Sequence, residues 1–248
     1  MAEYCLLQRA PITEALIDIR VKTRDGVNVE IFNNLHDAIS ERYPKKTTRN
    51  KQEGKIEFKK GEPPITSTSD TVLGYSFVSA DGKQIFQARI DGFTFNRLSP
   101  YDRWETLRDE AIELWRMYKD LTAPEITRVA LRFINKINIP TEPTTNIKFE
   151  DYLTTSPIIP EKLPQGLLSF LSRVVMHNPE IDALAIIAQV YEGIIEPKFV
   201  PIILDIDVYR QKEKFSEEEA WETLEKLRKF KNNIFFESIT EKAKELFK

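Results

Sequence analysis

At Ser99 the periodicity of the chain changes. Before it, apolar residues alternate in short runs separated by turn dipeptides. After it, Trp104, Leu107, Ala111, Leu114, Trp115 and Tyr118 recur every three or four residues. That spacing puts six large or apolar side chains on one broad helical face, which must be buried. The alternating runs supply the matching surface, a sheet with one apolar side. Ser99-Pro100 reads as a cap and a first-turn proline for the helix. The chain therefore reads as α+β, with helices packed on antiparallel sheet.

The first alternating run, Ile12–Lys22, places Ala15, Ile17, Ile19 and Val21 on one side and Asp18, Arg20 and Lys22 on the other. Asp25-Gly26 turns the chain, and Asn28 caps a helix carrying Ile31, Leu35 and Ile39 that Pro44 closes. Further β segments are expected around Lys55–Lys60, Leu73–Val78, Gln84–Ile90 and Phe93–Leu98, with Asp81-Gly82 and Asp91-Gly92 as hairpin-type turns. Gly61–Asp70, with Pro63-Pro64, reads as a mobile loop.

Two short echoes suggest that the pattern restarts. Ala10-Pro11-Ile12-Thr13 resembles Ala123-Pro124-Glu125-Ile126-Thr127, and Trp104-Glu105-Thr106-Leu107 resembles Trp221-Glu222-Thr223-Leu224. Ser216 and Glu219 form a capping box before the second Trp helix. Between the echoes lie strand candidates Leu167–Met176, Leu184–Tyr191 and Ile202–Tyr209, reached through the proline-rich stretch Pro140–Pro164. The expectation is an internal duplication: two pseudo-repeats of roughly β-α-β(3–4)-α, covering 1–122 and 123–248, as two halves or one continuous domain. Their antiparallel sheets, separate or joined into one, would be covered by long helices, in the manner of TBP-like or helix-grip folds.

The chemistry is defined first by what is missing. There is no G-x-G-x-x-G, P-loop, H-E-x-x-H, G-x-S-x-G or C-x-x-C. Cys5 is the one cysteine and reads as a small buried hydrophobe. His36 reads as a surface helix residue and His177 as a turn residue. Asp205 and Asp207 alternate with Leu204, Ile206 and Val208; they could hold a divalent cation, but an ion-paired strand face is the simpler reading. No cofactor is expected. Met1–Arg9 has no secretory pattern, and the longest apolar run, Ala183–Ala188, is too short to span a bilayer, so a cytoplasmic protein is expected.

The formal net charge of −3 argues against a surface built throughout for nucleic acid. Lys45–Lys60 is the one basic concentration. It reads either as a contact for nucleic acid or an acidic partner, or as an edge strand protected by lysines. Along Ile126–Ile139, Arg128, Arg132 and Lys136 share a face; they can grip anions or pair with Asp205 and Asp207. Asn135 lies on the opposite, apolar face and needs hydrogen-bond partners there. Phe93, Phe95 and Arg97 precede Ser99-Pro100-Tyr101, either as an aromatic–arginine corner or as core with a helix-pairing arginine.

Arg9-Ala10-Pro11-Ile12-Thr13-Glu14-Ala15, Phe95-Asn96-Arg97-Leu98-Ser99-Pro100-Tyr101 with Trp104-Glu105, Leu131-Arg132-Phe133-Ile134-Asn135-Lys136-Ile137, and Phe235-Phe236-Glu237-Ser238-Ile239-Thr240-Glu241 together resemble a sporadically distributed, uncharacterised prokaryotic protein family of about this length. The resemblance implies no activity, cofactor or catalytic residue; a patchy distribution suits an accessory or defence-type module. The motif positions Arg97, Tyr101, Trp104, Arg132 and Asn135 are the binding candidates. The leading functional expectation is a non-catalytic binding or regulatory protein acting on a macromolecular partner through basic Lys45–Lys60 and acidic Glu213–Glu225. A protein partner or homo-oligomer is favoured, with nucleic acid as the other option and no membrane. The alternative is a small-molecule binder or enzyme using a cavity between sheet and helices.

Overall fold

The alternation at Ile12–Lys22 forms a strand with those bounds, and it lands in the middle of the molecule. The structure, a computed structural model, describes residues 7–24, 26–57, 65–140, 148–160, 162, 167–193 and 198–248. In chain order the elements are β1 (Ile12–Lys22), α1 (Asn33–Ile39), β2 (Lys45–Glu57), β3 (Ile65–Val78), β4 (Gln84–Arg89), β5 (Gly92–Leu98), α2 (Trp104–Thr122), β6 (Glu125–Pro140), β7 (Phe170–Asn178), β8 (Ala183–Tyr191), β9 (Phe199–Phe215), α3 (Glu217–Ser238) and α4 (Glu241–Glu245). Short 3-10 turns at Val29–Phe32 and Phe149–Asp151 complete the set.

All nine strands join one sheet in the order β2-β3-β4-β5-β1-β6-β9-β8-β7. Neighbouring strands are antiparallel throughout. Ile17 of β1 faces Phe95 of β5 on one side and Leu131 of β6 on the other. The apolar face is completed by Phe86, Phe93, Phe133, Ile202 and Leu204, all buried. α2 lays Leu107, Leu114, Trp115 and Tyr118 over β1 and β5, and α3 lays Leu224 and Leu227 over β6 and β9. Each such side chain stabilises the fold by about 1.5–3 kcal/mol when fully buried. The other face of the sheet is polar: Asp18, Gln87, Arg89 and Thr94 form a hydrogen-bonded cluster on it.

This topology corrects the two-repeat expectation. β1 and β6, which open the two supposed copies, hydrogen-bond to each other from Ile12↔Asn135 to Lys22↔Glu125, so there is a single sheet rather than two. The connections also differ. A helix, α1, links β1 to β2, whereas the described residues between β6 and β7 hold only the 3-10 turn Phe149–Asp151. The echoed tryptophans are not equivalent: Trp104 is buried and Trp221 half-buried. Helices of 7, 19, 22 and 5 residues roof the nine strands only in part, so the TBP-like or helix-grip arrangement of long covering helices is not what forms.

Local chemistry accounts for most boundaries. Asn28 accepts from the Glu30 N–H, and Ser216 from the Glu219 N–H. Asp81 Oδ1 accepts from the Lys83 N–H while Gly82 takes the left-handed φ of 71° that the β3–β4 turn requires. Other readings shift. α2 begins at Trp104, so Ser99 and Pro100 lie before it, not in its first turn. The expected loop Gly61–Asp70 is strand from Ile65 onward, and residues 61–64 lie outside the described residues. So do Cys5, Asp25, residues 58–60 and much of Pro140–Pro164. His177 lies within β7, paired with Leu184, instead of turning the chain, and His36 stacks on Phe77 with ring centroids 5.6 Å apart.

Gly74 sits in β3 opposite Arg89, beside the register shift between Arg49 and Asn50 of β2. A Cβ there would run into the Ala88 carbonyl oxygen and stand 2.6 Å from the Arg89 Cα. Backbone atoms cannot step aside as a flexible side chain can. Gly74→Ala should therefore cost about 3 kcal/mol, the upper end of ordinary overpacking penalties. A urea midpoint equal to that of the wild type would refute this.

Candidate functional site: a cleft at the start of α2

Because α2 starts only at Trp104, Tyr101–Arg103 run as a loop across one end of the sheet, with Arg103 extended at φ −151° and ψ 163°. Asp102 accepts from the Thr106 hydroxyl at 3.0 Å and steadies the turn into the helix. Below this loop lies a cleft of about 420 Å³. The loop, residues Leu7–Ile12, β6 and the Arg228–Phe236 segment of α3 enclose it.

Its walls are aromatic. Tyr101 packs edge-on against Phe133 of β6, with centroids 5.5 Å apart. Burial pushes the Tyr101 hydroxyl well above the usual phenol range, opposed by the charge of Arg228, so the group stays protonated. Trp104 donates its indole N–H to Glu225 Oε1 at 2.7 Å. The Arg228 guanidinium lies 5.5 Å above the Trp104 ring, and its Nη1 is 3.7 Å from carboxylate oxygens of both Glu105 and Glu225. Asn135 is buried at the cleft floor. Its amide donates to the carbonyls of Leu204 at 2.9 Å and Phe133 at 3.3 Å, and no described residue donates to its Oδ1.

Lys231 is the unusual member. It occupies the core-facing stripe of α3 between Leu227 and Ile234 and is only 8% exposed. Its Nζ lies 3.8 Å from the Phe133 ring centroid. Among the described residues it has no carboxylate partner and no hydrogen bond. Burial, and then the Arg228 charge one turn earlier, lower its pKa from an ordinary 10.5 to about 7. The cleft thus holds an unpaired amine against an aromatic floor, with a guanidinium beside it.

Of the five residues singled out from the sequence, the fold gathers three here: Tyr101, Trp104 and Asn135. Arg97 lies elsewhere on the helix-covered face, with its Nε buried and unpartnered and its charge acting on Tyr43 and Asp81. Arg132 points to the opposite, polar face, where Nε and Nη2 grip Asp205 at 2.9 and 2.6 Å. Asp207 stands 3.6 Å from Arg128, and its burial raises its carboxyl above the usual range despite that neighbour. No group of three or more His, Cys, Asp or Glu gathers into a metal cluster among the described residues. Lys231 and Arg228 were not among the sequence candidates.

A second cavity, about 300 Å³, lies by Asp182, Arg210 and Lys226. Arg210 is within 3.7 Å of Asp182 and 3.6 Å of Glu219, so its charge is matched within the protein. Several charges of the two charged segments also have partners. Lys46 donates to Asn33 Oδ1 and lies 4.0 Å from the Tyr75 ring, while Arg49 donates to Gln87. Glu217 and Glu219 pair with Lys119 and Lys212. β2, which contains most of the basic segment, is an edge strand. No helix among the described residues is long and apolar enough to cross a membrane.

No family model matches the chain, and no curated protein matches it.

Proposed function

We propose that this is a small-molecule-binding protein whose ligand, an apolar or aromatic compound with an anionic group, occupies the cleft between α3, β6 and the Tyr101–Arg103 loop. The observation behind this reading is Lys231: an unpaired amine, nearly fully buried, that lines an open cavity. Burying a lysine without a counterion is costly, and an incoming anion offsets that cost by supplying the missing partner. Tyr101, Trp104 and Phe133 provide the apolar walls common to small-molecule sites, and Asn135 provides an acceptor. This reading is favoured over a macromolecular partner because Lys46, Arg49, Glu217, Glu219 and Glu225, within the two charged segments, already have partners in the fold, whereas Lys231 has none among the described residues.

Phenylacetate, an aromatic ring with a carboxylate, is a suitable probe. Calorimetric titration should show binding that Lys231→Met weakens roughly 10- to 100-fold, the usual worth of a charge-assisted hydrogen bond. Arg132→Ala, on the far side of the sheet, should leave it unchanged. Because the anion binds the protonated amine, affinity should fall as pH rises above about 7. Equal binding by wild type and Lys231→Met would remove the basis of the proposal.

A further inference from the structure

We infer that Lys231 is a covalent attachment point: its Nζ forms an imine with the carbonyl carbon of a 2-oxo acid whose carboxylate is held by Arg228. This rests on the ligand-binding reading of the cleft and goes beyond it by naming a carbonyl as the reacting group. A lysine becomes a nucleophile when its surroundings favour the free amine, through desolvation or a neighbouring cation. Both conditions hold here. Burial to 8% exposure removes water from Nζ, and Arg228 is the cation one turn earlier on the same helix; together they outweigh the attraction of the Phe133 ring for an ammonium ion.

Among the described residues, the charged and titratable groups lining the cleft beside Lys231 are few. Arg228 belongs to α3, Asp102 and Arg103 to the loop, Glu105 to α2, and Tyr101 carries a hydroxyl. The carboxylates among them are already committed elsewhere: Asp102 to Thr106, and Glu105 toward Arg228. From β6 the cleft receives Phe133 and Asn135, neither of them charged. No described carboxylate pairs with Lys231 to hold it as the ammonium ion.

The step balances without a redox partner. The Nζ lone pair attacks the carbonyl carbon and a C–N bond forms. Both amine hydrogens pass to the carbonyl oxygen, which leaves as water, and a C=N bond remains. Arg228 holds the ligand carboxylate, which takes the place of the loose 3.7 Å approaches of Glu105 and Glu225 to its Nη1, and the walls of the cleft surround its apolar substituent. Tyr101, kept protonated by burial, is a hydroxyl available within the same cleft.

Phenylpyruvate adds a carbonyl to the ring and carboxylate of phenylacetate, so the two probes separate covalent attachment from binding. The folded protein is incubated with phenylpyruvate and sodium cyanoborohydride, then analysed by intact mass and peptide mapping. The expected result is one reduced adduct, on Lys231, forming at least about tenfold faster than adducts on exposed lysines such as Lys45. It should vanish in Lys231→Met, be suppressed by excess phenylacetate, and fall several-fold in Arg228→Gln. If phenylacetate binds but Lys231 gains no adduct, the covalent inference is overturned and the binding reading stands. If adducts scatter over surface lysines with no excess at Lys231, the inference is likewise overturned. If neither compound binds, both ideas fail together.

Discussion

Lys231→Met should make the protein more stable, and the gain should depend on pH in a defined direction. In the unfolded chain the amine titrates at about 10.4; in the fold it titrates at about 7. Between those values the unfolded state binds a proton that the folded state lacks, so wild-type stability rises with pH across this window. Below about 7 Lys231 is protonated in both states, and the whole cost of burying its charge is present. Above about 10.4 the cost is gone. Methionine keeps the length and flexibility of lysine, fills the same space over Phe133, and does not titrate. Chemical denaturation at about pH 6 should therefore show Lys231→Met ahead by a few kcal/mol, with the difference shrinking steadily toward about pH 10. A difference that stayed flat over this range would show that the amine is not held in dry surroundings. The predicted gain accompanies a predicted loss of ligand binding, the exchange expected of a site group that weakens the fold.

Asp18→Ala should be damaging for the opposite reason. On the polar face of the sheet, the Asp18 carboxylate accepts from Thr94 Oγ1 at 2.7 Å, Arg128 Nη1 at 2.9 Å, Arg20 Nε at 3.1 Å and Arg89 Nη2 at 3.2 Å. Arg89 is only 8% exposed and has little water to fall back on. Removing the shared carboxylate leaves buried guanidinium charge undercompensated, which costs about 3–5 kcal/mol. Asp91, Gln87 and Thr94 still contact Arg89, so the lower end of that range is expected. Urea unfolding measures the loss. The double variant Asp18→Ala/Arg89→Met should recover much of it, because the stranded charge is then absent. A single variant within about 0.5 kcal/mol of wild type would show that the cluster contributes nothing net.

What could be read from the sequence was what depends on near neighbours. The bounds of β1, the caps at Asn28 and Ser216 and the Asp81-Gly82 turn each follow from a few adjacent residues. The pairing of β1 with β6 does not: it joins Ile12 to Asn135, and alternation alone cannot name a strand's partner. Apolar alternation marks no strand over Lys45–Asn50, and the edge-strand reading of Lys45–Lys60 rests on its lysines instead; β2 is an edge strand. At the site, alternation had already put Arg132 and Asn135 on opposite faces, so one cleft could not take both from that strand. Lys231 was hidden among the many charges of α3. The clue to it was spacing: Leu227, Lys231 and Phe235 follow one another at intervals of four, which places a lysine in an apolar stripe.

The central position of β1 has a consequence for how the protein is made. β1 leaves the ribosome before the other described strands, yet Ile17 pairs with Phe95 and Leu131, both synthesised far later. At ordinary translation speeds, residue 131 follows residue 17 by roughly 6–20 seconds. Until β5 emerges, Ala15, Ile17, Ile19 and Val21 have no sheet to join, and the edge that takes β6 stays open to other nascent chains for the whole interval. The element that later holds the two sides of the sheet together is therefore the described strand that waits longest for its partners during synthesis.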